Sequence, residues 1–286
     1  MAARAEREAF FDAARAVTSH VVADSRWGTF LVATSDRGVG RKLFTALGRS
    51  EMKTLERAIH VIDLRAGPPA NGRGTLVDVG ANIGTTTVPA LLHFGFDDAV
   101  AIEPDEENCR LLAANLALNG LGDRSRVIAC AVSDTVGHAT LVRHAFNSGA
   151  HQLRLPGASL SIETAAEELS GAVDVPKTTL DELARRGEID PRRVGLLWLD
   201  VQGHEGHVIG GGASLLERGV PVVFELSGDA LRRAGRLEEL VAAVTGPYTE
   251  FVDLRTDPPA PRPVETLSDA LGRSRDGTTD FLLLAR

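Results

Sequence analysis

Cysteine, lysine and long apolar runs are all scarce in this chain. Its 286 residues hold two cysteines, Cys109 and Cys130, with neither metal-ligand spacing nor a framework of partners around them. That argues against a disulfide scaffold and a structural zinc site, and points to a reducing cytoplasm. No apolar run approaches the ~18 residues of a spanning helix, and the charged start, Arg4-Ala5-Glu6-Arg7-Glu8, lacks the apolar stretch of a signal peptide. The expectation is a cytoplasmic protein, neither exported nor embedded in a membrane. Lysine occurs only at Lys42, Lys53 and Lys177, the remaining basic residues of the 31 being arginine. With abundant alanine and glycine, this reads as the base composition of a GC-rich gene rather than as a binding surface. No sustained basic run can follow a phosphate backbone and the formal net charge is −8, so a nucleic-acid partner is not expected. Internal repeats and low-complexity stretches are also missing.

What is present is the balance of a globular protein with a large core, 43% hydrophobic and 24% charged. Residues 5–23 repeat apolar positions at helical spacing, Phe30-Leu31-Val32 is strand-like, and residues 43–62 again repeat at three and four. This mixed segment closes at the Gly- and Pro-rich loop 67–72. After it the pattern changes to short apolar runs alternating with helical ones. Strands are predicted at 75–79, 99–102 and 126–131, with helices at 85–93 and 105–118 between them. Further strands follow at 196–199 and 221–224, flanking a helix over 205–218, and the last two fall at 250–254 and 280–284 around a Pro-rich turn. Regular β-α-β spacing implies parallel strands joined by right-handed crossovers. The fold class is α/β, a doubly wound, mostly parallel, seven-stranded Rossmann-like sheet. Residues 1–73 are expected as a mainly helical N-terminal cap and residues 74–286 as one domain. Within it, an insertion over about 137–194 carries two strand-like stretches, 138–143 and 173–180, around Asn147-Ser148-Gly149-Ala150-His151, and so long an interruption reads as a lid.

Asp78-Val79-Gly80-Ala81-Asn82-Ile83-Gly84 lies at the first strand-to-helix turn, where open α/β sheets bind ligands and glycine lets the backbone approach them closely. A dinucleotide fingerprint needs glycine where Asn82 and Thr85 stand, and no Gly-Lys-Ser/Thr follows as in a P-loop. Neither a pyrophosphate nor a triphosphate has its usual cradle. Glu103 ends the second strand, where a carboxylate can accept from both hydroxyls of a ribose. Asp78 adds negative charge, which suits a cation and repels phosphate. A ribose-bearing cation without phosphate is S-adenosylmethionine, with S-adenosylhomocysteine as its product. A nicotinamide-dependent oxidoreductase on the same sheet, or a cofactor-binding module without catalysis, remains as an alternative.

At these residues the chain resembles a class I S-adenosylmethionine-dependent methyltransferase, and more closely the FkbM family. The resemblance runs through Asp78-Val-Gly-Ala-Asn-Ile-Gly, Ala101-Ile-Glu-Pro, Ala131-Val-Ser-Asp, Thr179-Leu-Asp-Glu-Leu, Asp200-Val-Gln-Gly-His-Glu and Val223-Phe-Glu-Leu. It implies that Asp78, Gly80, Asn82 and Gly84 line the methionine end of the cofactor. Glu103 and Pro104 would lie at the ribose, and Ala131, Val132 and Ser133 at the adenine. The family commonly has glutamate where this chain has Gln202, and its members methylate hydroxyls of diverse small molecules and sugars. The expected partner is therefore a small-molecule acceptor, from sugar or secondary metabolism, and the sequence leaves a homodimer open.

Transfer from a sulfonium is an in-line displacement that depends first on positioning and then on removing the proton of a hydroxyl acceptor. Asp200-Val201-Gln202-Gly203-His204-Glu205 follows the fourth core strand, at the same rim as the glycine turn. Asp200, His204 and Glu205 are therefore the candidate bases. The spacing His204-Glu205-Gly206-His207 is three where a zinc hydrolase needs four, so no metal is assigned. Asp200 and Glu225 end neighbouring strands and can together hold a Mg²⁺ on an acceptor diol, a reading that lacks its third ligand. His144, His151, Arg143 and Arg154 in the insertion can face an acceptor, the arginines an anionic one. Glu51 is a further substrate-side candidate, and Trp27 and Trp198 read as core.

Overall fold

The structure is a computed structural model that describes residues 2–47, 52–67, 72–154, 168–227, 237–271 and 278–285. The chain begins with helix α1 (Ala2–Ala14), the hairpin β1 (His20–Ser25) and β2 (Gly28–Ala33), and helices α2 (Val39–Ala46) and α3 (Met52–Ala66). The helical reading of residues 5–23 is corrected after Ala14, where residues 15–19 turn and residues 20–23 belong to strand β1. Val21 and Val22 there carry the β-branched side chains that favour a pleated surface.

The central alternation follows as β3 (Thr75–Val79), α4 (Thr87–His93), β4 (Asp98–Ile102), α5 (Glu106–Leu118) and β5 (Ser125–Ile128). Every residue of β3 is buried, as a strand covered on both faces requires. Asp105 caps α5 by accepting from the amides of Glu107 and Asn108 at 3.0 and 3.1 Å, and Glu106 and Glu107 add negative charge at its positive end. A second sheet is built from β6 (Ala131–Val132), β7 (Gly137–His144), β8 (Gln152–Arg154) and β9 (Leu169–Thr178). The predicted strand over 126–131 therefore splits, and its end leaves the main sheet to pair with β9.

Helix α6 (Leu180–Arg185) leads to β10 (Val194–Leu199), α7 (Glu205–Gly210), α8 (Ala213–Leu216) and β11 (Val222–Ser227). Gly211 and Gly212 break the single helix expected over 205–218 into two. Helix α9 (Leu237–Thr245), β12 (Glu250–Asp253), β13 (Pro261–Pro263), α10 (Leu267–Leu271) and β14 (Thr278–Leu284) complete the chain.

The main sheet has eight strands in the order β13-β12-β14-β11-β10-β3-β4-β5. All seven predicted strands are in it, and the eighth is the short β13, whose prolines sit on an edge where a missing amide costs nothing. Strands β5, β4, β3, β10 and β11 run parallel, whereas β14 pairs antiparallel with β11 and β12 pairs antiparallel with β14. The sheet is mixed, and it reverses at β10 and β3, the pair at which the first crossover turns back.

Alternate side chains of the same strands feed two cores. Val77, Val79, Leu197 and Leu199 face the layer of α6 to α10. Leu76, Ala101, Leu196 and Trp198 face α4 and α5 together with Phe11, Phe30, Leu43 and Leu55 of the first 73 residues. Buried Asn115 of α5 accepts from the amide of Leu31 at 2.6 Å and donates to its carbonyl at 3.3 Å. One turn later Asn119 repeats this on Thr29, at 3.0 and 2.7 Å. Two side-chain amides thus stand in for a neighbouring strand along the edge of β2. Among the described residues, no helix is long and apolar enough to cross a membrane.

Candidate active site

At the carboxyl ends of β3, β4, β10 and β11 the sheet opens into a cavity of about 640 Å³. That is within the size range of small-molecule sites. Its floor is the backbone turn after β3. Gly80 has φ +85°, and a Cβ there would stand 1.9 Å from the carbonyl oxygen of Asp200, so only glycine lets the ends of β3 and β10 come together. Asn82 follows at φ 50°, its side-chain oxygen accepting from the amide of Ile83 at 2.7 Å. Asparagine bears this left-handed conformation at lower cost than most residues because its side chain bonds locally.

Glu103 lines the same side of the cavity. Its two oxygens accept from the amides of Asn82 and Asp105, each at 2.9 Å, which fixes the carboxylate between the glycine turn and the start of α5. Burial pushes its pKa up to about 7 against these donors. Pro104, Ala131 and Val132 continue this wall. Asp78, Gly84 and Ser133 do not reach the cavity. Asp78 is buried in β3 and accepts from the Thr87 hydroxyl at 2.5 Å, which ties the strand to the first turn of α4; burial lifts its pKa to about 6. Gly84, at φ +91°, packs against Leu112.

The opposite wall carries carboxylates. Asp200 lines the cavity and accepts from the Gln202 amide at 2.7 Å; burial and the neighbouring Glu225 raise its pKa well above the usual carboxylate range. Glu225 is raised by burial and by Asp280, with which it is directly paired across β11 and β14. Two acids in that register repel, and Arg255 offsets them by donating to Glu225 at 3.2 Å and to Asp280 at 2.9 Å. Among the described residues there is no group of three His, Cys, Asp or Glu that can hold a metal ion.

Of the three candidate bases, Asp200 alone faces the cavity. His204 is buried beside the Ser133 hydroxyl, at 3.1 Å, and stacks on His207, whose Nδ1 lies 2.9 Å from Asp134. Glu205 accepts from the amides of Val201 and Gly203, at 3.3 and 3.2 Å, so it braces the loop that carries Asp200; burial lifts its pKa to about 7.

From the insertion, Ser148 and His151 line the cavity. The Ser148 hydroxyl donates to Asp36 at 2.7 Å and lies 3.3 Å from Asn82, so a loop of the N-terminal segment and a loop of the insertion meet over the glycine turn. Arg143 turns instead to Asp105, at 2.5 Å, and His144 to Glu168, at 3.3 Å. Arg154 is exposed, and Glu51 lies outside the described residues.

Several lining residues had no local signal in the sequence. Helix α2 brings Lys42, α3 brings Lys53, Thr54 and Arg57, and the segment after β12 brings Arg255. Trp198, read as core, is buried and also lines the cavity. For Asp280 a signal existed, an acid at the head of the apolar run Phe281-Leu282-Leu283-Leu284.

A family model described as the Methyltransferase FkbM domain matches residues 78–255. No curated protein matches the chain by sequence. The crystal structure of an FkbM methyltransferase from Methylobacillus flagellatus KT aligns with a TM-score of 0.44 and 15% identity, over 77% of this chain and 46% of that one. The chain thus spans under half the length of that protein. A tRNA m1G37 methyltransferase of M. jannaschii gives a TM-score of 0.44 at 9% identity over 94% and 58% of the two chains. TYW2 of M. jannaschii in complex with AdoMet gives 0.44 at 10% over 93% and 85%.

Proposed function

Since this chain belongs to the FkbM methyltransferase family and S-adenosylmethionine is its cofactor, which sets aside the nicotinamide alternative, we propose that it methylates a hydroxyl of a small molecule, with Asp200 as the general base. The observation that carries this reading is the Gly80 to Asp200 contact: the cofactor wall and the carboxylate wall meet backbone to backbone across one cavity.

The residues present fit the cofactor. Backbone at Gly80 and Asn82 is free of bulk at the methionine end, Glu103 is fixed where two ribose hydroxyls can donate to it, and Ala131 and Val132 offer an apolar edge for an adenine. Bound there, S-adenosylmethionine supplies an electrophilic methyl carbon on a sulfonium. Asp78, Gly84 and Ser133 act from behind this wall, Asp78 by holding Thr87.

A carboxylate whose pKa stands well above the usual range is a stronger base than an ordinary aspartate, and it can take a hydroxyl proton as the oxygen attacks. Glu225, across the strand end, shares that proton's electrostatic cost. An amine acceptor, already nucleophilic when neutral, gains less from such a group, which favours oxygen. The first 73 residues serve as the cap, since α2 and α3 close the acceptor side. Isothermal titration with S-adenosylhomocysteine is expected to give micromolar or tighter binding that persists in Asp200→Asn and weakens in Glu103→Ala; absence of heat with the native protein would overturn the reading.

A further inference from the structure

Within a chain of net charge −8, the outer part of the acceptor side is basic. Lys42, Lys53, Arg57 and Arg255 line it, from three separate segments, against Asp200, Glu225 and Asp280. The acids are already engaged. Arg255 bridges Glu225 and Asp280, and Thr54 donates to Asp280 at 3.4 Å. Arg57 donates to the carbonyl of Leu254 at 2.7 Å, with Asp257 3.8 Å away. Lys42 and Lys53 are different. Both are exposed at the cavity wall, and among the described residues neither forms an ion pair or a hydrogen bond through its side chain, although the charge of Lys42 reaches Glu225 and favours its ionised form. The chain has only three lysines, and two of them stand at this one opening. Lys177, the third, is not among the lining residues; it pairs with Ala131 in the second sheet and its ammonium donates to the Thr135 carbonyl at 3.1 Å.

We propose that the acceptor carries an anionic group, a phosphate or a carboxylate, held by Lys42 and Lys53 while its hydroxyl reaches Asp200. The proposal rests on the methyl-transfer reading above and adds the substrate class to it. Lysine suits this place because its compact ammonium on a flexible stem can follow an anion at a wet rim, where a bidentate arginine would fix one geometry. Asp200 is withdrawn from solvent and both lysines are exposed, so the base is set deeper in the cavity wall than the cations. An acceptor with its hydroxyl and its charge at opposite ends is therefore held in one orientation, and an unlike acceptor, a cation above all, is repelled. A small molecule rather than a polyanion is specified, because the cavity is about 640 Å³ and the rest of the protein is acidic.

The three lysines make the test direct. Protein labelled with 13C at the lysine ε-carbon gives three side-chain signals, assigned by removing one at a time in Lys42→Gln, Lys53→Gln and Lys177→Gln. It is titrated with inorganic phosphate, and separately with succinate, in the presence of S-adenosylhomocysteine and at constant ionic strength in chloride. Saturable shifts of the Lys42 and Lys53 signals with that of Lys177 unmoved support the proposal, and the better of the two anions identifies the source of the charge. Affinity for the better anion, read by calorimetry, is expected to fall at least tenfold in the double variant Lys42→Gln/Lys53→Gln, with its melting temperature and its S-adenosylhomocysteine affinity unchanged. Three signals moving together, no movement at all, or undiminished affinity in the double variant overturns it. Failure of S-adenosylhomocysteine to bind is a separate outcome, which sinks the methyl-transfer reading while leaving the lysine shifts readable.

Discussion

The two walls of the cavity are built in opposite ways. On the side proposed for the cofactor, Gly80, Asn82, Glu103 and Pro104 lie within one β-α-β unit, and the first three are fixed by hydrogen bonds of backbone amides. On the side proposed for the acceptor, Lys42, Asp200, Glu225, Arg255 and Asp280 come from five segments scattered along the chain, with Arg255 bridging Glu225 and Asp280. A wall made locally is set by the turn that carries it. One assembled from distant segments has its charge balance decided by packing, so its side chains can change while the sheet below remains.

That contrast is open to four measurements. The largest effect is expected from Asp200→Asn, which should lower methyl transfer to a hydroxyl acceptor by about 10²- to 10⁴-fold, the usual share of a general base. S-adenosylhomocysteine affinity should stay within about twofold in this variant by calorimetry, because nothing on the cofactor wall is touched. A matched loss of cofactor affinity would mean that the two walls are not separable. Next in size is Gly80→Ala. Its Cβ would meet the Asp200 carbonyl at 1.9 Å from a left-handed backbone, and about 3 kcal/mol of folding stability should go, read by chemical denaturation.

Glu103→Ala comes third. Removing a charged acceptor that also holds the amides of Asn82 and Asp105 should cost about 2 kcal/mol of cofactor binding, roughly thirtyfold in affinity. Turnover at saturating cofactor should change far less, and a loss confined to turnover would break the assignment of walls. The effect that is smallest at each step of its measurement concerns Glu205, which braces the Asp200 loop. Its pKa rises from the ordinary 4.5 to about 7 on folding. The folded state therefore holds this proton more tightly, so the group's contribution to stability is complete below about pH 4.5 and is lost as pH rises through 7. In Glu205→Gln that decline should vanish, and the variant should gain on the native protein by about 1 kcal/mol per pH unit across this window. Parallel curves for the two proteins would show that the carboxylate is not protonated on burial.

How far the sequence could be read follows the same division. The strands of the main sheet were legible because fully buried parallel strands, such as Thr75–Val79, write themselves as continuous apolar runs. Glu103 was legible as the acid that ends the next one. The move of Ala131 and Val132 into a second sheet was not, since a two-residue strand pairing with residues 177 and 178 has no local pattern. His204 and Glu205 were grouped with Asp200 by adjacency alone, whereas the turn at Gln202 and Gly203, both at positive φ, sends them inward to Ser133 and to backbone amides. The scarcity of lysine read as gene composition. Only the packing of α2 and α3 brings two of the three to one opening.

Because the approach of β3 to β10 is set by the Gly80 backbone against the Asp200 carbonyl, the spacing between the wall proposed for the cofactor and the carboxylate proposed as the base is a property of the main chain. Helices α2 and α3 and the segment around Arg255 lie outside that contact. Lineages of this fold can therefore exchange one acceptor for another by surface substitution there, each step leaving the transfer geometry as it was.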